Sequence, residues 1–342
     1  VEKSLDAFLT RQHARLAAID DALVPVVEWI EAFVLGGGKR LRPAFAYWGY
    51  RAAGGLDSDE VVATVAALEL VQASALIHDD VMDGSDTRRG QPAIHRRAAT
   101  VHERSGWLGD PDAFGTASAI LLGDLCLVWS DELLHTGGLD PATLARARPV
   151  FDEMRTEVTV GQYLDMHAQA TGDSSARRAS LVARYKSGKY TVERPLLLGA
   201  ALAGAGEDVA SAYSGYGLPL GEAFQLRDDI LGVFGDPAVT GKPAGDDLRE
   251  GKRTYLVAVT AEAAGASGRE LLRRLLGDPG LDDDGVAALR ELITTSGALA
   301  RTEQRISALT EAALGALRGA DLAPDGAAVL VELAGAATHR SG

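Results

Sequence analysis

Apolar residues recur at three- and four-residue spacing along nearly the whole chain, and this limits the fold more than any other feature. Alanine, leucine, glutamate and arginine dominate, all good helix formers. The stretch from Asp57 to Met82 is the clearest case, with Val61, Val65, Leu68, Val71, Ala75 and Met82 falling roughly on one side. Breaks are marked by residues that helices do not continue through. They are Gly36-Gly37-Gly38, Gly54-Gly55 with Asp57 or Ser58 to cap the next helix, Gly109 to Asp112, Gly137-Gly138, and Thr171 to Ser174. Pro195 sits inside an otherwise helical stretch and predicts a kink. There is no alternating strand pattern of useful length, no linker and no repeat. The chain therefore reads as one all-α domain over residues 1–342, a bundle of about ten or more helices whose sites are built from side chains on facing helices.

Composition narrows the partners. A net charge of -14 gives no overall footprint for nucleic acid or an anionic membrane, so any anionic substrate must be met by local basic clusters. No run of about 18 apolar residues predicts a membrane span. The single cysteine, Cys126, cannot form an internal disulfide, and the start VEKSLDAFLTRQ has no signal-peptide pattern. Both fit a cytoplasmic protein.

Two acidic clusters end apolar helices. Asp79 and Asp83 are four apart and share a helical face, with Asp80 offset beside them. Carboxylates at a helix C-terminus oppose its dipole, so a solvated helix end is a poor account of them. Magnesium is commonly held by one or two carboxylates completed by phosphate oxygens and water. Asp228 and Asp229 repeat the form of the first cluster, followed by the glycine-rich GDPAVTGKPAGDD. Basic clusters complement the acidic ones: Lys39, Arg40 and Arg42 after three glycines, Arg88 and Arg89, Lys186 and Lys189, and Lys242 and Lys252. Arginine forks, lysine point charges and bridging cations are what a diphosphate needs. GGGKRLRP lacks the spacing of a P-loop. Arg96 and Arg97 read as surface charge. No HExxH, Cys/His zinc spacing or nucleophile elbow is present, and His78 is expected to pack locally.

The segments GGGKRLRP, DDVMDGSDTRRGQP, LLGD, GQYLDM, YKSGKYT, FQLRDDILGVFGD and GKPAGDDLREGK, in this order, resemble the trans-isoprenyl diphosphate synthase (polyprenyl synthetase) family across most of the chain. The resemblance implies the isoprenoid synthase bundle with a central active-site cavity, and a homodimer. It implies condensation of an allylic diphosphate with isopentenyl diphosphate, assisted by three magnesium ions. On that basis Asp79, Asp80, Asp83 and Asp228 are expected at the metals, with Asp229 in support. Arg88, Lys186, Lys242 and Lys252 are expected at the allylic diphosphate, and Lys39, Arg42, Gln72 and Arg89 at isopentenyl diphosphate. Gln162, Asp165, Thr191 and Gln225 are expected around the reacting center. The second motif departs from the family's DDxxD, because its fifth position is Gly232. Asp236 is a candidate replacement, and Ser187 stands where threonine often follows the lysine.

Product length is expected to depend on the helix that carries Asp79. One turn is about 5.4 Å, close to one isoprene unit. Ala75 and Ser74, four and five residues before Asp79, are small, and Leu70 and Val71 come one turn further on. Without an aromatic floor at this level the expected product is geranylgeranyl diphosphate, with farnesyl or longer chains as alternatives. A class I terpene cyclase would carry an asparagine/serine/glutamate motif in place of Asp228-Asp229 and would need no second diphosphate site. A non-catalytic subunit of a heteromeric synthase would have lost metal ligands.

Overall fold

The computed structural model describes residues 1–236 and 245–338. Among these, regular structure is helical apart from one two-residue hairpin, β1 (Thr87–Arg88) against β2 (Gln91–Pro92). The all-α expectation holds. The chain forms two compact units, one of residues 1–47 and 56–145, the other of residues 48–55 and the chain from Arg146 onward.

The first unit holds α1 (Glu2–Ala17), α2 (Val24–Leu35), the start of α3 (Leu41–Ala52), α4 (Asp59–Val65), α5 (Ala67–Met82), α6 (Ile94–Arg104) and α7 (Pro111–Thr136). Helix α7 packs along both α5 and α6. Two glycines allow the close approach. A Cβ at Gly123 would strike the His78 ring at 2.2 Å, and one at Gly115 would meet the His95 carbonyl at 2.3 Å. His78 packs locally as expected, its Nε2 lying 3.1 Å from the Ile120 carbonyl. Phe8 meets Trp129 edge-on at 6.2 Å, joining α1 to α7.

The stretch read as one helix from Asp57 is two. Ser58 caps α4 by accepting from the Val61 amide, while Asp57 accepts from the Tyr47 hydroxyl at 2.6 Å. A tight turn follows, in which the Glu69 amide donates to the Ala66 carbonyl before α5 continues. Met82 is 48% exposed and does not share the buried side of Val61, Val65 and Leu68. Its place in the last turn, after this break, carries it off that stripe. Asp59–Met82 and Pro111–Thr136 are each long and apolar enough, by length and composition alone, to cross a membrane. The apolar window of the first is 67% buried inside the fold and that of the second 39%.

The second unit is built on α8 (Pro141–Thr171) from Arg146 onward, α9 (Ala176–Val182), a π-helix (Ala183–Glu193), α10 (Arg194–Ala203) and α11 (Glu207–Phe234). After these come α12 (Asp246–Arg249), α13 (Tyr255–Ala263), α14 (Ala266–Leu275), α15 (Asp283–Thr295), α16 (Ala298–Arg318) and α17 (Pro324–Thr338). Pro195 falls in the first turn of α10, where its missing N–H costs little. The π-helix ends at Glu193, two residues before this proline. Buried Tyr213 and Tyr216 donate to the carbonyls of Gly49 and Leu330, at 2.5 and 2.6 Å, and tie α11 to its neighbours.

Candidate active site

In the first unit the α5 face that is not fully buried carries Gln72, Ala75, Leu76, Asp79 and Asp83, at the three- and four-residue intervals of one helical stripe. Ser74 is 4% exposed and lies off this stripe in the packed interior, whereas Val71, four residues before Ala75, continues its row and is 2% exposed. At 100° per residue, a position five before Asp79 points well away from it.

Asp80 is 1% exposed, and its Oδ1 accepts from both Nε (2.8 Å) and a terminal nitrogen of Arg88. The same guanidinium lies 3.7 Å from the Asp79 carboxylate. Strand β1 delivers Arg88 to the end of α5, and the positive charge offsets the clash between the aspartates and the helix dipole.

Beyond α2 the chain turns through Gly37 (φ 107°) and Gly38 (φ 129°), which an L side chain would strain. Among the described residues only two non-glycines share the left-handed region, Arg40 (φ 48°) and Arg89 (φ 53°). They clamp the same loop. Arg40 donates to Glu69 (2.6 Å), to Glu2 (2.7 Å) and to the Val34 carbonyl (2.6 Å). Burial works against its charge, but the two carboxylates more than offset that and its pKa stands above the ordinary arginine value. Arg89 donates to the Gly37 carbonyl at 2.5 Å and lies over the Phe33 ring. Burial lowers its pKa first, and Arg40, Arg88 and Arg42 lower it further. A shallow cleft here is lined by Phe33, Arg40, Glu69, Gln72, Leu76 and Arg89. Lys39 is exposed and Arg42 partly so at the start of α3. Thus Gln72 and Arg89 come together as expected, while Arg40 and Glu69 emerge as the scaffold of the loop.

In the second unit Lys186 sits on the π-helix, a form that recurs at functional sites. Gly161 of α8 packs on it so closely that a Cβ would lie 2.4 Å from the Lys186 amide nitrogen. On the other side a Cβ at Gly221 of α11 would lie 2.4 Å from the Gly188 Cα. The Lys186 ammonium reaches Asp165 at 2.7 Å, joining two residues singled out from sequence. Thr191 is fully buried in the same helix, and Gln162 is half-buried. Lys189 does not join them. It pairs with Glu157 at 2.7 Å and Glu193 at 3.4 Å, in a network shared with Arg194.

On α11, Gln225 donates to Asp229 at 2.7 Å. Burial pushes the Asp229 carboxyl up to about 8, and the negative charges of Asp247, Asp228 and Asp165 add to the effect, against the Gln225 hydrogen bond. Asp236 lies exposed past the end of the helix. The side chain nearest Gly232 is instead Asp247 of α12. Lys252 pairs with Glu250 at 2.5 Å and stands 3.4 Å from Asp247. Lys242 lies outside the described residues.

Among the described residues no three His, Cys, Asp or Glu side chains converge to hold an ion alone. The donor set does fit magnesium in its usual protein mode, one or two carboxylates completed by phosphate oxygens and water. Asp79 and Asp83 fit it in the first unit and Asp228 in the second.

The polyprenyl synthetase family model matches residues 25–293. The chain belongs to the polyprenyl synthetase family. It is 34% identical over 276 residues to a geranylfarnesyl diphosphate synthase of Aeropyrum pernix, covering 80% of each chain. It is 35% identical over 248 residues to a geranylgeranyl diphosphate synthase of Methanosarcina mazei, covering 70% of each. In structure it is similar to the geranylgeranyl pyrophosphate synthase of Corynebacterium glutamicum complexed with isoprenyl diphosphate and magnesium. The TM-score is 0.96 at 42% identity, over 99% of this chain and 97% of that one. The isoprenoid synthase fold and the prenyltransferase class expected from the sequence are both borne out.

Proposed function

We propose that the protein is a magnesium-dependent trans-prenyltransferase that extends an allylic diphosphate with isopentenyl diphosphate, with geranylgeranyl diphosphate as its main product. The observation that carries this is the pair of distinct cationic stations in the first unit. Arg88 stands beside Asp79, and separately Arg40 and Arg89 line a cleft with Gln72. Two stations suit two diphosphates, as condensation requires and cyclisation of one substrate does not.

Asp79, Asp83 and Asp228 would hold the magnesium ions, with Asp80 anchoring Arg88. Magnesium, when bound, neutralises charge on the departing pyrophosphate. Arg88, Lys186 and Lys242 bind the allylic diphosphate, and their fixed charges favour the build-up of negative charge on it as the C–O bond breaks. Lys252 supports the same group. Lys39, Arg42, Gln72 and Arg89 hold isopentenyl diphosphate so that its double bond meets the allylic carbon. Such alignment can supply about 7–11 kcal/mol of the barrier. Thr191, Gln162, Asp165 and Gln225 orient the charged groups around the reacting carbons. The new C–C bond leaves a cation that loses a proton to the released pyrophosphate, since no side chain of this set is a suitable base.

The single domain, the homodimer and the cytoplasmic location belong to the same proposal. Phe114, Leu121 and Val128 repeat every seven residues on α7 and are 38%, 66% and 63% exposed, a face suited to a second copy. The thiol of Cys126 is buried and free, as suits a reducing compartment. The test is incubation with magnesium, isopentenyl diphosphate and each allylic primer in turn, with product identification and an EDTA control. Linear C20 diphosphate that disappears in EDTA and returns with magnesium is expected. Cyclised hydrocarbons, or turnover in EDTA, would refute the proposal.

A further inference from the structure

The family's second aspartate motif carries a carboxylate at its fifth position, and here that position is Gly232. The structure shows what fills the space. A Cβ built on Gly232 would lie 1.9 Å from Oδ2 of Asp247, 2.4 Å from its Cγ and 3.0 Å from its Oδ1. The Asp247 carboxylate therefore occupies the volume into which any side chain at 232 would project. Gly232 is four residues after Asp228, so this volume lies on the Asp228 face of α11, one turn on.

The placement is firmly built. Leu248, next to Asp247, is fully buried in a cluster with Ile230 and Val233 of α11 and with Val286 and Leu289 of α15. The Leu248 carbonyl accepts from the Gly277 amide at 2.9 Å, and Gly251 (φ 73°) passes so near Gly277 that a Cβ would lie 2.9 Å from its Cα. The Lys252 amide donates to the Asp247 carbonyl at 3.0 Å, and its ammonium lies 3.4 Å from the Asp247 carboxylate. Asp247 is thus fixed against α11 from its own backbone outward.

We infer that Asp247, from α12, supplies the third carboxylate of the second aspartate motif, and that Gly232 is the vacancy this substitution requires. Asp247 acts as a positioning residue. It adds negative charge on the Asp228 face and holds Lys252 there. The inference rests on the assignment of Asp228 to magnesium. It also changes the meaning of the motif's departure, because restoring aspartate at 232 would force two carboxylates into one volume.

The test uses the full chain and measures Mn2+ binding by calorimetry in the presence of inorganic pyrophosphate, with thermal melting of each variant in EDTA. Asp247→Asn, which keeps the shape, should weaken Mn2+ affinity about 10- to 100-fold, as loss of a residue that orients ligands does. Its metal-free melting should change little. Gly232→Asp alone should melt lower and bind more weakly than wild type. The exchange Gly232→Asp/Asp247→Gly should recover affinity to within a few-fold of wild type, because one carboxylate again fills one volume. Unchanged affinity in Asp247→Asn while Asp228→Asn loses binding would overturn the inference and leave the site assignment standing. Unchanged affinity in both would overturn the site assignment itself. A Gly232→Asp protein as stable and as tight as wild type would show that the two positions do not compete.

Discussion

Removing the Glu69 carboxylate should loosen the glycine loop by stranding the Arg40 charge that clamps it. Glu69 is 5% exposed and Arg40 has 12% of its side chain exposed, so their 2.6 Å pair is screened from water. Removing one partner of a buried pair typically costs about 3–5 kcal/mol, because the other charge is left unsatisfied. Arg40 keeps Glu2 and the Val34 carbonyl, which lowers the expected cost of Glu69→Leu to about 2–3 kcal/mol. With about 2.1 cal/mol/K of unfolding entropy per residue, 342 residues lose about 1.4 °C per kcal/mol, or roughly 3–4 °C in all. Arg40 also holds a left-handed backbone, which persists only while its surroundings impose it. Freed, it should release the positions of Lys39 and Arg42. The KM for isopentenyl diphosphate should rise severalfold with little change in the KM for the allylic primer. Calorimetric melting and steady-state kinetics with each substrate varied in turn measure both effects. The double variant Arg40→Leu/Glu69→Leu should melt higher than Glu69→Leu alone, since no charge is stranded. A Glu69→Leu protein with wild-type melting and wild-type KM would refute the reasoning.

Arg42→Ala should raise the KM for isopentenyl diphosphate, and Lys186→Ala should lower kcat. Each loss should be on the order of 1.5–3 kcal/mol for one charge-assisted contact, and an unchanged isopentenyl KM in Arg42→Ala would remove that residue from the site. In EDTA, Asp229 should impose a pH dependence on stability, because its folded pKa of about 8 lies above the ordinary carboxylate value of 3.8. The folded protein then binds the extra proton, so this contribution is fully present below about pH 4 and is lost as pH rises through 8. Denaturant titrations across that range should show the decline in wild type and a flatter profile in Asp229→Asn. Ala75→Phe should shorten the product to farnesyl diphosphate, because Ala75 shares the Asp79 stripe of α5. Ser74→Phe should act mainly on stability, because Ser74 is 4% exposed and an added ring overfills the interior. Product chromatography and melting of the two variants separate these roles, and an unchanged product from Ala75→Phe would move the growing tail off this face.

What was legible in the sequence was local. Ser58 and Asp110 cap their helices by side-chain bonds that depend on neighbours two or three residues away. The glycine pairs end helices for reasons equally near at hand. The turn at Ala66 has no glycine or proline to announce it, and its apolar spacing continues through the break, so the 57–82 stretch reads as unbroken. The π-helix was hidden for a similar reason. Pro195 marks where regular α-helix resumes, but nothing in the period of ARYKSGKYTVE signals the wider turn. That wider turn also separates Lys186 from Lys189, which three-residue spacing would place together on an α-helix.

The charged residues show the deeper limit. In sequence, a carboxylate that meets a cation and one that holds an arginine look the same. Asp79 and Asp80 are adjacent, yet Asp79 lies on the open stripe and Asp80 is 1% exposed inside the Arg88 fork. Glu69 stands to Arg40, and Glu157 to Lys189, as Asp80 stands to Arg88. In each case a nearly buried acid fixes a base, and the pairing spans 8 to 32 positions of chain. Gly232 and Asp247 are the same problem without a charge pair. Sequence shows an aspartate missing at one position and a spare one fifteen residues on, and only the packing of Leu248 against α11 brings them to one place. Motifs therefore identify which residues a reaction needs. Whether a given one touches substrate, or holds another that does, is decided by burial and partner, and these are set by contacts far apart in the chain.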